Sequence, residues 1–236
     1  MTDDVCVARP DMEEDSMIDN HNAYYERYWQ QETDVPAGDP TTAVRHTRLI
    51  STLRRLSAGS RVLDLGCGHG WFTNAMAVRG YEACGVDMSR SAIDAARQRY
   101  PGIRFETLGP QGQIPAESET FDAVWSSEVI EHVFDVHAHL AEINRVLKTG
   151  GLYILTTPYH GMLKNLLIAT VKFDRHFDPE VSHIRFFDKA SLTRCLGRAS
   201  FRPVRWDGIG RMPGLYRTWF VVSQKTGMPG PAPQPR

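Results

Sequence analysis

A short strand-like run, Arg61 to Leu65, empties into glycines at alternate positions, Gly66, Gly68 and Gly70, and then into a helix-forming stretch from Trp71. A buried strand that turns on glycines into a helix restricts the fold more than any other feature of the chain. Glycines let the backbone bend tightly and let a ligand touch the main chain. Amides at the start of the following helix then face that ligand. The surrounding pattern alternates. Spacing predicts helices over 45–56, 71–78, 89–100, 136–147 and 189–197, with Ser89 as an N-cap. It predicts strands over 61–65, 83–86, 103–106, 121–125, 152–156, 201–206 and 218–223. This alternation argues for an α/β fold, a doubly wound, mostly parallel seven-stranded sheet covered on both faces. Such sheets bind ligands outside the carboxyl ends of their strands.

The 236 residues fit one domain with additions. The boundaries read as an acidic tail over 1–20, a domain over 21–226 with an insertion over 159–187, and a Pro/Gly-rich tail over 227–236, both tails expected to be disordered. Basic and acidic residues nearly balance, 27 against 28, so charge does not favour a nucleic-acid partner. Cys6, Cys67, Cys84 and Cys195 show no framework spacing and read as reduced thiols of a cytoplasmic protein. The acidic first fifteen residues do not fit a signal peptide, and no stretch is long and apolar enough to span a bilayer.

Two ligand classes suit a glycine bend of this kind, dinucleotides and S-adenosylmethionine. The dinucleotide fingerprint requires a third glycine where Trp71 stands. Asp64 lies at the strand end beside the bend. Its carboxylate would repel a pyrophosphate and suits a ligand bearing an ammonium and a sulfonium. Asp87 closes the second strand and can accept from both ribose hydroxyls, a feature the two classes share.

These motifs resemble the class I S-adenosylmethionine-dependent methyltransferases, most closely the branch containing ubiquinone-biosynthesis O-methyltransferases. The resemblance rests on VLDLGCGHG (62–70), GVDMS (85–89), FDAVWSSEVIEHV (121–133), LKTGGLYILTTP (147–158) and SHIRFF (182–187). It implies a Rossmann-like methyltransferase fold with a lid after the fifth strand. Gly66, Gly68 and Gly70 would line the amino-acid end of the cofactor, with Asp64 near its ammonium. Asp87 would hold the ribose, Met88 the adenine, and Ser126 and Ser127 would lie under the methionine moiety. Arg45 is a candidate for the cofactor carboxylate. Where relatives often place an adenine contact after the third strand, this chain reads Thr107-Leu108-Gly109, which assigns none.

Glu128, Glu131 and His132 follow the fourth strand. On a helix, positions i, i+3 and i+4 share one face, so these three would converge, with His183 as a fourth ligand and His160 and His176 as other choices. Similar clusters occur in methyltransferases that use a divalent ion, and Mg²⁺, Mn²⁺ or Zn²⁺ would fit with waters completing the shell. Two other readings stay open: His132 as a general base without metal, or structural roles for all three. In the insertion, Leu163, Leu166, Leu167 and Val171 fall at near-helical spacing, which suits a lid, a membrane-surface contact, or ordinary packing. Tyr24, Tyr25, Tyr28 and Trp29 are candidates for an N-terminal cover. The expected activity is O-methylation of a small-molecule hydroxyl, a phenol, quinol or sugar. An RNA 3′-end 2′-O-methyltransferase and an NAD-dependent oxidoreductase are the competing readings, the latter opposed by Asp64 and Trp71.

Overall fold

The computed structural model describes residues 26, 40–171, 184–210, 212 and 215–227. The acidic tail, the aromatic residues Tyr24, Tyr25, Tyr28 and Trp29, His176, His183 and the Pro-rich tail from 228 lie outside the described residues.

Helix α1 (Thr42–Leu53) leads into β1 (Arg61–Leu65) and α2 (Trp71–Ala77). β2 (Glu82–Asp87), α3 (Arg90–Arg99) and β3 (Arg104–Thr107) follow, then β4 (Phe121–Ser127), α4 (Val136–Val146) and β5 (Leu147–Pro158). After β5 come α5 (Met162–Val171), α6 (Lys189–Arg198), β6 (Phe201–Ile209) and β7 (Thr218–Lys225). The strands form one seven-stranded sheet in the order β3-β2-β1-β4-β5-β7-β6. Pairings from β3 through β5 are parallel, and β7 inserts antiparallel between β5 and β6. The seven strands forecast from spacing are therefore all present, with β2, β4, β5, β6 and β7 longer than the pattern suggests.

Strand order reverses between β1 and β4, and there the connections leave in opposite directions. The carboxyl ends of β1 and β4 consequently open a crevice, the usual ligand position in a doubly wound sheet. One face of the sheet is closed by α1 and α2 through Leu49, Leu53 and Met76 on Trp125, Ile154 and Phe220. Leu140, Ile143, Leu192 and Leu196 of α4 and α6 close the other face over Leu63, Val124, Tyr153 and Leu155. Each fully buried leucine contributes about 1.5–3 kcal/mol by leaving water, which fixes the helices that frame the crevice.

Local signals explain the helix boundaries nearest the site. Ser89 caps α3 by accepting from the Ala92 amide at 3.2 Å. Asp135 caps α4 by accepting from His137 and Ala138. Asp188 and Ser191 form a reciprocal capping box at the start of α6. The expected helix in the insertion forms as α5, with Met162 and Leu166 exposed.

Candidate active site

The glycine bend after β1 is held against the end of β2 by backbone bonds. Amides of Gly66 and Cys67 both donate to the Val86 carbonyl, at 2.8 and 3.0 Å, and the Gly68 amide donates to Asp87 Oδ2 at 2.9 Å. Gly66, Gly68 and Gly70 all adopt positive φ, at 78°, 49° and 78°. A Cβ on Gly70 would lie 2.6 Å from the Phe105 ring, and one on Gly66 would lie 2.4 Å from Val129 Cγ2. Both positions thus require glycine for conformation and for space. The bend is therefore built of main chain, held to the end of β2 through Val86 and Asp87.

Two aspartates flank it. Asp64 is buried, and its Oδ2 accepts from Thr73 Oγ1 of α2 at 2.6 Å. Burial, then the nearby charge of Asp87, raises its carboxyl to about 7, against the pull of Thr73. Asp87 is also buried, with Oδ1 accepting from the Ser89 amide at 3.0 Å and Oδ2 from Gly68. Burial raises its proton affinity, while the Ser89, Gly68 and Met88 amides oppose the rise. A cation brought to this pair would relieve the cost of two neighbouring buried carboxyls. That is a chemical fit to a ligand with an ammonium and a sulfonium, and a poor one to a pyrophosphate.

The end of β4 supplies the other wall. Ser126 is buried, and Ser127 Oγ accepts from Arg45 Nη1 at 2.8 Å and lies 3.1 Å from Thr156 Oγ1. Arg45 Nη2 also donates to Thr42 Oγ1 at 3.1 Å, and Nη1 stands 4.0 Å from Glu128 Oε1. The buried guanidinium is therefore part of the β4 wall, and it links Ser127, read from sequence as a cofactor residue, to Glu128, read as a metal ligand.

The chain after Ser127 does not take the helical form that would align three metal ligands. Glu128 adopts φ 55°, and only Ile130–His132 forms a single 3₁₀ turn. The left-handed residue redirects the chain, so Glu128 leaves toward β7 and Arg45. Thr218 Oγ1 donates to Glu128 Oε1 at 2.7 Å. Glu131 is buried, Thr157 Oγ1 donates to its Oε2 at 3.0 Å, and His132 Nε2 stands 4.0 Å from its Oε1. Burial, then the charge of Glu128, raises Glu131 well above the usual carboxylate range. Among the described residues no group of three His, Cys, Asp or Glu side chains is placed to hold a metal ion, and His183 lies outside them. His160 is buried, with Nδ1 3.3 Å from Asn165 Oδ1 and its ring edge-on to Phe186. The residues missed from sequence are Thr73, Thr156, Thr157 and Thr218, which orient the acids and Ser127. Threonine is common in strands for its branched side chain, so nothing marked the three on β5 and β7, and Thr73 is one polar residue in the helical stretch of α2.

A family model described as a methyltransferase domain matches residues 42–205, and the chain belongs to the class I S-adenosylmethionine-dependent methyltransferases. Among the relatives, a ubiquinone biosynthesis O-methyltransferase of a Ruegeria species is 37% identical over 170 residues, covering 70% of this chain and 68% of that one. A probable S-adenosylmethionine-dependent methyltransferase of Mycolicibacterium smegmatis is 29% identical over 171 residues, covering 72% of this chain and 63% of that one. The chain spans less than two thirds of the length of that protein and of two biotin-pathway and malonyl-carrier relatives. The solved structure of the PH0226 protein from Pyrococcus horikoshii has the same fold, with a TM-score of 0.64 at 20% identity over 84% of this chain and 98% of that one.

Proposed function

We propose that the chain transfers a methyl group to the hydroxyl of a small molecule, a phenol, quinol or sugar, with His132 as the general base. The bound cofactor supplies the methyl group on a positively charged sulfur. Gly66, Gly68 and Gly70 cradle its amino-acid end, Asp64 faces the ammonium, Asp87 accepts from the ribose and Met88 lies against the adenine. Arg45, Ser126 and Ser127 line the methionine side. The observation that carries the acceptor assignment is His132 on the turn that follows β4, five residues past Ser127, with the buried Glu131 carboxyl 4.0 Å from its Nε2. A hydroxyl is a poor nucleophile at neutral pH, so a base within reach of its proton is the main requirement. As the carbon–sulfur bond breaks and the carbon–oxygen bond forms, the hydroxyl proton passes to His132.

No step here runs through a metal, since among the described residues no three His, Cys, Asp or Glu side chains converge. Exposed Met162 and Leu166 on α5, with exposed Phe134 near His132, favour an acceptor carrying an apolar tail, taken from a membrane surface. A labelled-methyl assay against phenols and quinols with and without prenyl tails, sugars and RNA tests the reading, run with and without chelator. His132→Ala should lower kcat by 10² or more while leaving S-adenosylhomocysteine affinity unchanged. Unchanged turnover in that variant would remove the base assignment. Activity lost on chelation and restored by Mg²⁺ or Mn²⁺ would replace it with metal assistance, and methylation of RNA alone would replace the acceptor class.

A further inference from the structure

The first turn of α3 follows directly on Asp87 and Met88, and the accounting of its amides is complete. A helix leaves its first amides without intrahelical partners. Here the Ser89 amide donates to Asp87 Oδ1, and the Ala92 amide donates to Ser89 Oγ. Amides of Arg90 and Ser91 both donate to the carboxylate of Glu26, the Ser91 bond measuring 3.2 Å. Ser89 and Ser91 hydroxyls, 2.9 Å apart, complete the group. One acceptor of this helix start thus comes from more than sixty positions upstream. Glu26 also lies close enough to Asp87 for its charge to add to the Asp87 proton affinity, after the larger effect of burial.

We infer that Glu26 is a positioning residue for the cofactor, tying the N-terminal part of the chain to the turn that presents Asp87 and Met88. The inference rests on the cofactor reading above. Glu26 fixes the 88–91 turn, and a fixed turn holds the Asp87 carboxylate in one orientation for the ribose. Preorganisation of this kind strengthens binding by lowering what must be ordered on association. By reciprocity, a cofactor seated on Asp87 holds Glu26 on α3. The carboxylate also fills the amides that a phosphate would otherwise take at this helix start.

The test compares wild type, Glu26→Ala, Arg90→Pro and the double variant. Proline suits Arg90 because it is the first helical residue, and Ser89 before it is already extended at φ −80°, ψ 119°. It deletes one amide that Glu26 uses and leaves the helix intact. Calorimetry with S-adenosylhomocysteine should show each single variant weakened about five- to tenfold, and the double no weaker than Glu26→Ala. S-adenosylhomocysteine should also slow tryptic cleavage at Arg27 in wild type and not in Glu26→Ala. A Glu26→Ala protein with a lowered melting temperature but wild-type affinity and wild-type ligand protection would overturn the inference, since that is what a simple helix cap predicts. A wild type that binds no S-adenosylhomocysteine would instead overturn the cofactor reading itself.

Discussion

Gly70→Ala separates the two reasons for a glycine at the end of the bend. Gly70 sits at φ 78°, ψ 17°, where a side chain costs about 1–2 kcal/mol. Its Cβ would also fall 2.6 and 2.7 Å from two atoms of the Phe105 ring and 3.3 Å from Ala96 Cβ. Phe105 is buried on β3 against α3, so the ring has nowhere to retreat. Overpacking of this kind costs about 1–3 kcal/mol. The sum is about 2–5 kcal/mol, a large share of the stability of an ordinary domain. Gly59 provides the control: its φ is 79°, and nothing lies within 4 Å of a Cβ there. Gly59→Ala should therefore lose only the conformational part, about 1–2 kcal/mol. Urea unfolding of both variants beside wild type measures the difference. Equal losses would show that contact with Phe105 is not what demands glycine at position 70, and the packing half of the argument would fail.

Asp87→Ala removes the acceptor assigned to both ribose hydroxyls, each bond to a charged group contributing about 1.5–3 kcal/mol. Calorimetry with S-adenosylhomocysteine should find binding lost by a factor of 10² or more, and retained affinity would end the ribose assignment. Asp64 carries a pH signature. Burial raises its carboxyl from 3.8 to about 7, so between those values the folded state keeps a proton that the unfolded chain releases. This group therefore opposes folding increasingly as pH rises through that window, and levels off above it. Asp64→Asn should raise the urea midpoint at pH 8 and change it little at pH 4. The same gain at both pH values would refute the burial account.

The sheet and the glycine bend were readable because each depends on local chemistry. A glycine that must bend, an acid that ends a strand and a serine that caps a helix leave their mark within a few residues. Ser89 and the bend at 66–70 took the forms expected of them. The acceptor side was less readable. Whether Glu128, Glu131 and His132 share a face depends on the sign of φ at Glu128, and a glutamate gives no hint of a left-handed conformation. What holds it there is the bond from the Glu128 amide to the Thr156 carbonyl and the Thr218 hydroxyl on its carboxylate, both contributed by distant strands. Glu26 was equally hidden, since its partners are main-chain amides 64 and 65 residues away.

The placement of β7 has a further consequence for how this molecule is made. β7 is the last strand among the described residues yet sits inside the sheet, between β5 and β6. Its first residue, Thr218, touches Glu128, and Lys225 at its far end, fully enclosed, donates to carbonyls of Asn144 and Leu147 at the end of α4. Phe220 and Val221 of β7 lie in the cores on the two faces of the sheet, so neither face is complete until this strand has been made, and the domain folds as a unit. A chain cut short before β7 should therefore lose the whole crevice rather than one wall of it.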